Sequence, residues 1–78
     1  MSISTINKSR QAVEVSFSQN KMIILLEDGR ELAIPLDWFP RLRNASPEQL
    51  KNWRFIGNGE GLHWEELDED ISVENLIV

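Results

Sequence analysis

The sequence predicts an α+β domain: a three-stranded antiparallel meander, short helices, a second hairpin and a short C-terminal helical turn. Three observations predict it. Residues Ala12-Val13-Glu14-Val15-Ser16-Phe17-Ser18 alternate apolar and polar side chains, the period of a half-buried strand. Turn-forming dipeptides separate this segment from two further apolar runs. After Pro35 the alternation stops, and residues that start helices take its place.

The first strand points Val13, Val15 and Phe17 at the core, and Gln19-Asn20 supplies a turn. The next run, Met22-Ile23-Ile24-Leu25-Leu26, is apolar on both faces and suits a central strand. Asp28-Gly29 is the strongest short hairpin signal, because a type I′ turn needs positive φ at both central residues. A two-residue turn there pairs Leu25 with Leu32 and Ile23 with Ile34, on the face that carries Val13, Val15 and Phe17. Pro35 cannot donate to a ladder, so it ends the third strand or lies on its open edge.

Leu36 to Leu42 reads as a helical turn, with Asp37 as candidate cap and Pro40 in the first turn. Ser46-Pro47-Glu48-Gln49 opens a second helix: Ser46 at the N-cap, Pro47 at N1, and Gln49 at N3 completing a capping box. Leu50 and Trp53 then share a helix face. Arg54-Phe55-Ile56, the turn Gly57 to Gly61 and Leu62-His63-Trp64 form the second hairpin. Glu65 to Asp70 is an acidic connection. Asp70 and Ser72 are placed to cap the last turn, while Leu67 and Ile71 enter the core.

With 78 residues the chain has the length of one small α+β domain, residues 1–78, whose first ten residues are polar and aperiodic, a loose N-terminal segment or an edge segment. It has no cysteine, so neither a disulfide framework nor a thiolate metal site supports it. No apolar run approaches the ~18 residues of a membrane span. The N-terminus is too polar for a signal peptide, which places the expected location in the cytoplasm. Net charge is -5 and unevenly spread: residues 55–78 hold seven acids and no Lys or Arg. Nucleic-acid binding draws on cations that displace phosphate counterions, and an acid-only final third argues against it. The same charge suits a basic protein partner, or simply solubility.

Each motif with chemical potential has a plainer reading. The loop Gly57-Asn58-Gly59-Glu60-Gly61 carries Glu60 and precedes no helix, so it does not fit a phosphate loop. Asp68-Glu69-Asp70-Ile71-Ser72 lacks the glycine and terminal glutamate of an EF-hand. His63 is the only histidine, and no spacing links it to a nucleophile or a metal-ligand set. The expectation is therefore no catalytic residue, no metal and no cofactor. Trp38, Trp53 and Trp64 are expected in the core, with a modest basic patch from Arg41, Arg43, Lys51 and Arg54 around them.

The stretch from Asp28-Gly29-Arg30 through Ile34-Pro35-Leu36-Asp37-Trp38-Phe39-Pro40-Arg41-Leu42 to Ala45-Ser46-Pro47-Glu48 resembles the bacterial and archaeal domain-of-unknown-function family 2442. The closing stretch, Gly59 to Leu76, resembles that family's C-terminal signature. Asn75 stands where members often carry glycine, and asparagine also tolerates positive φ. The resemblance implies a small α+β domain with no defined activity or catalytic residues. It also implies a gene arrangement like that of toxin–antitoxin pairs.

Two functions follow as expectations. The first is a protein-interaction module, antitoxin-like, meeting a basic partner through Glu65, Glu66, Asp68, Glu69 and Asp70. The alternative is a small-ligand or regulatory domain with an aromatic cleft at Trp38 and Trp53. A homodimer is a further candidate, because the central strand is apolar on both faces.

Overall fold

A computed structural model describes residues 10–77. The expected loose N-terminal segment lies outside them except for Arg10, whose guanidinium meets Glu74 at 2.7 Å. The first sheet consists of β1 (Ala12–Ser18), β2 (Lys21–Leu26) and β3 (Glu31–Pro35), with β2 in the middle. The meander is as the sequence predicts, and β3 ends at Pro35.

Its two turns exchange the roles expected of them. Gln19 and Asn20 both have positive φ, 47° and 65°, so the β1–β2 loop is the two-residue I′ type. In the β2–β3 loop only Gly29 is left-handed, at φ 94°. Three residues, Glu27 to Gly29, form that loop: Leu26 N–H donates to Arg30 O at 2.8 Å and Gly29 N–H to Leu26 O at 2.9 Å. The Asp28 carboxylate accepts from the Arg30 backbone N–H at 3.1 Å and from its guanidinium at 2.9 Å. Those bonds hold Asp28 in an ordinary conformation and leave Gly29 as the left-handed residue of a bulged hairpin.

The extra loop residue corrects the predicted register. Ile24 lies opposite Leu32 and Met22 opposite Ile34, instead of Leu25 with Leu32 and Ile23 with Ile34. A one-residue slip moves a strand's whole apolar set to the other face. Met22, Ile24 and Leu26 are accordingly buried, while Ile23 and Leu25 are half-buried on the outer face. A second correction concerns Val13. The β1–β2 register shifts between Ala12 and Glu14, a bulge that turns Val13 outward at 48% exposure and gives Ala12 its place in the core.

The second sheet consists of β4 (Trp53–Ile56), β5 (Gly61–Trp64) and β6 (Glu69–Ser72), with β5 central. The expected hairpin is present, but part of the expected acidic connection is its third strand. Glu65 to Asp68 makes the turn, with Asp68 at φ 51° and its N–H donating to Glu65 O at 3.3 Å. Ile71 then falls opposite Leu62, and both are buried. Burial of that pair recruits a segment whose charge reads as a loop.

The segment between the sheets holds a 3₁₀ turn (Leu36–Trp38), α1 (Pro40–Arg43) and α2 (Pro47–Lys51). Pro40 is at N1 as expected, but Asp37 caps nothing and faces Arg43 at 3.6 Å. The capping box of α2 is complete: Gln49 N–H donates to Ser46 Oγ at 3.1 Å and Ser46 N–H to Gln49 Oε1 at 2.9 Å. Because α2 ends at Lys51, Trp53 opens β4 and shares no helix face with Leu50. After β6 comes the predicted terminal turn, α3 (Val73–Leu76). Ser72 holds its N-cap position without a side-chain capping bond, Asp70 is engaged by His63, and Asn75 is not left-handed.

One hydrophobic cluster joins Met22 and Ile24 of the first sheet to Leu62, Trp64 and Ile71 of the second, with Leu42 and Val73 between. Leu76 belongs to this cluster, half-buried Ile77 packs against it, and α3 packs on β5 and β6. Backbone bonds also tie the β4–β5 loop down: Ala12 N–H donates to Gly59 O at 2.7 Å, and Val73 N–H to Glu60 O at 2.9 Å. Gly59, at φ 93°, approaches so closely that a Cβ there would lie 2.2 Å from Ala12 O.

Candidate functional site

The acidic residues singled out by sequence gather at one end of the second sheet. Glu65, Glu66 and Asp68 sit exposed in the β5–β6 turn, and half-buried Glu69 and exposed Asp70 follow on β6. The turn is partly engaged from within the chain. Gln49 Nε2 donates to Glu66 Oε1 at 3.1 Å, so the capping residue of α2 also anchors the acidic turn. The Arg41 guanidinium donates to Asp68 O and lies 3.9 Å from Asp68 Oδ2. Asp70 accepts from, or pairs with, His63 Nδ1 across the β5–β6 ladder, where the two residues are register partners. These pairs are solvent-exposed and contribute little to stability, roughly 0–1 kcal/mol each.

His63 is thus a sheet histidine with a carboxylate neighbour. No group of three or more His, Asp or Glu with metal-binding geometry occurs among the described residues.

The three tryptophans, all expected in the core, take three different environments. Trp64 is fully buried, and its Nε1–H donates to Leu50 O at 2.9 Å. Trp53 is half-buried, its ring edge-on to Phe55 with centroids 4.8 Å apart. Trp38 is 60% exposed, on the 3₁₀ turn. Trp38 and Trp53 do not share a cleft: Trp38 borders a shallow groove with Asp70, Ile71 and Asn75, whereas Trp53 borders a different one.

That second groove has a volume of about 600 Å³ and lies between β1 and the α2–β4 segment. Phe17, Leu50 and Trp53 line it on the apolar side, and Arg43 and Lys51 bring positive charge. Among the described residues, no carboxylate lines it. The modest basic patch foreseen in the sequence is divided by the fold: Arg41 turns to Asp68, Arg54 lies beside His63, and only Arg43 and Lys51 reach this groove. Sequence reasoning did not connect Phe17 with Lys51, because nothing local brings residues so far apart in the chain together.

The family described as protein of unknown function (DUF2442) matches residues 12–78. A solved structure of a protein of unknown function from Rhodospirillum rubrum ATCC 11170 is 35% identical. It superposes with a TM-score of 0.74 over 86% of this chain and 83% of its own. No curated protein matches the chain. A match across both sheets and α3, with a relative of the same fold, establishes that the chain belongs to the DUF2442 family.

Proposed function

We propose that this domain is a protein-interaction module that docks a basic partner on the β5–β6 turn. The observation that carries the reading is the placement of Glu65, Glu66 and Asp68 side by side in one exposed turn, continued by Glu69 and Asp70 on β6. Gln49 holds the Glu66 carboxylate and Arg41 the Asp68 backbone carbonyl, so the turn's backbone is already set before binding, which lowers the entropic cost. Charged rims of this kind mainly govern association rate and partner choice. The gene arrangement implied by the family resemblance makes a basic, toxin-like protein encoded alongside the first partner to try. In this reading the domain is the antitoxin-like member, and it carries out no catalysis itself.

The test is size-exclusion chromatography with mass spectrometry of tagged protein from its native host, at low and high salt. A stoichiometric basic partner that leaves at high salt, and is lost from a Glu65→Lys/Glu66→Lys/Asp68→Lys variant, is the expected result. Bare protein at both salts sinks the reading. The alternative small-ligand reading rested on a joint cleft of Trp38 and Trp53; what remains of it is the groove beside Trp53.

A further inference from the structure

We propose that the groove beside β1 takes an extended, carboxylate-bearing peptide segment, which adds as a fourth strand to the β1 edge. This is a second surface, apart from the acidic turn and independent of it. Among the described residues, β1 is an edge strand. Its two-residue loop makes Ser18 and Lys21 the closing hydrogen-bonded pair, so Ser16 and Ser18 turn their backbone groups to β2. Val15 and Phe17 therefore aim N–H and C=O away from the sheet, on the side of the groove they line. Among the described residues, no backbone bond from outside the sheet reaches them, whereas the Ala12 N–H is taken by Gly59.

The other edges carry the devices that discourage strand addition. β3 has Glu31 and Pro35, β4 has Arg54, and the short β6 has Glu69 and Asp70. The stretch from Val15 to Ser18 has neither charge nor proline. An unguarded strand edge beside an apolar groove is the arrangement used for recognition by strand addition: main-chain bonds supply affinity, and alternate side chains enter the groove.

Charge selects the occupant. Arg43 and Lys51 are the charged residues of the groove lining; Asp37 lies 3.6 Å from Arg43 but outside that lining, so the net charge facing the groove is positive and favours an acidic segment. Pairing β1 with the β1 of a second copy would bring a single carboxylate, Glu14, and set the two copies' Arg43 and Lys51 close together. That arrangement wastes the complementarity.

The test uses isotope-labelled full chain and a capped peptide alternating glutamate and leucine. Two analogues carry N-methyl groups on every second amide, in opposite phases; a fourth peptide replaces glutamate by lysine. The expected result is saturable binding that slows exchange of the Val15 and Phe17 amides. One N-methyl phase binds about tenfold weaker while the other is little changed, and Arg43→Glu/Lys51→Glu weakens the parent by about tenfold. Both substitutions are at exposed positions, and circular dichroism checks that the fold is kept. Equal binding of both phases, or of the lysine peptide, overturns the proposal. So does a dimer whose Val15 and Phe17 amides are protected without peptide, which would give the edge to a second copy. Binding of a small aromatic carboxylate such as indole-3-acetate, with no peptide binding, would return the groove to the small-ligand reading. Binding by the Glu65→Lys/Glu66→Lys/Asp68→Lys variant at parental strength separates this surface from the acidic turn.

Discussion

Gly59 and Gly29 have nearly the same φ, 93° and 94°, but opposite surroundings. A methyl group at Gly29 meets nothing within 4 Å, whereas at Gly59 it would meet the Ala12 backbone at 2.2 Å. Gly29→Ala should therefore cost only the conformational strain, about 1–2 kcal/mol. Gly59→Ala adds a clash that must push β1 from the β4–β5 loop, and should cost at least about 3 kcal/mol. Urea denaturation of the two variants compares them directly, and equal losses would show that the Ala12–Gly59 contact yields freely. Trp64 offers a second case. Trp64→Phe removes the donor to Leu50 O and leaves space in the core, for an expected loss of about 2–4 kcal/mol by the same measurement.

Short elements here depend on their ends. α2 has five residues, too few to persist on propensity alone, and it is fixed by its capping box and by buried Leu50. Ser46→Ala should cost about 1 kcal/mol in chemical denaturation. Because Gln49 also holds Glu66, that variant should broaden or shift the Glu66 amide signal as well, a readout that a remote cap would not give. In the β1–β2 turn, Gln19 holds a left-handed φ that favours glycine or asparagine. Left-handed strain of roughly 1–2 kcal/mol, less the entropy that glycine loses on folding, predicts that Gln19→Gly stabilises by about 0.5–1 kcal/mol. A thermal melt in which Gln19→Gly unfolds earlier than the parent would contradict the turn assignment.

At the scale of the molecule, two three-stranded sheets share one hydrophobic cluster and are tied together by the Ala12–Gly59 bond. Neither sheet buries its inner face alone: Ile24 of one and Leu62 of the other are both fully covered in the common core. Unfolding should therefore be a single transition. Tryptophan fluorescence of a Trp38→Phe variant, which reports only Trp53 and Trp64 of the second sheet, and far-ultraviolet circular dichroism, which sees both sheets, should give coincident urea curves. Separated midpoints would mean that the sheets unfold independently. Among the described residues no helix is long and apolar enough to cross a membrane. The charge is spread unevenly over this one core, with carboxylates in the β5–β6 turn and Arg43 and Lys51 at the β1 groove. Salt should weaken partners on both surfaces, while only the groove's partner should protect β1 amides.

The sequence by itself determined what depends on neighbours along the chain. The alternation of β1, the apolar run of β2, the Ser46 capping box, the hairpin around Gly57 to Gly61 and the last helical turn are each encoded within a few residues. Backbone dihedrals respond to local sterics and to nearby hydrogen-bonding side chains. The family signature was legible for the same reason, since it is a string of local motifs. The folded structure decided which face of β2 is inside and which residue opens the buried row of β1. Asp28 holds its own turn through Arg30 and adds one loop residue, which exchanges Ile23 and Leu25 for Met22 and Ile24; the bulge at Val13 exchanges it for Ala12. It also decided that Glu69–Ser72 is a strand, because the gain lies in Ile71 covering Leu62 and not in the charged residues beside it. The acidic candidates were visible as a run, but their internal partners, Gln49, Arg41 and His63, were not. The groove was not visible at all, since Phe17, Arg43, Lys51 and Trp53 meet only when the two sheets close on a common core. Burial is a sum over the whole chain, so parity, pairing and concavity are settled only once every apolar surface competes for the same interior.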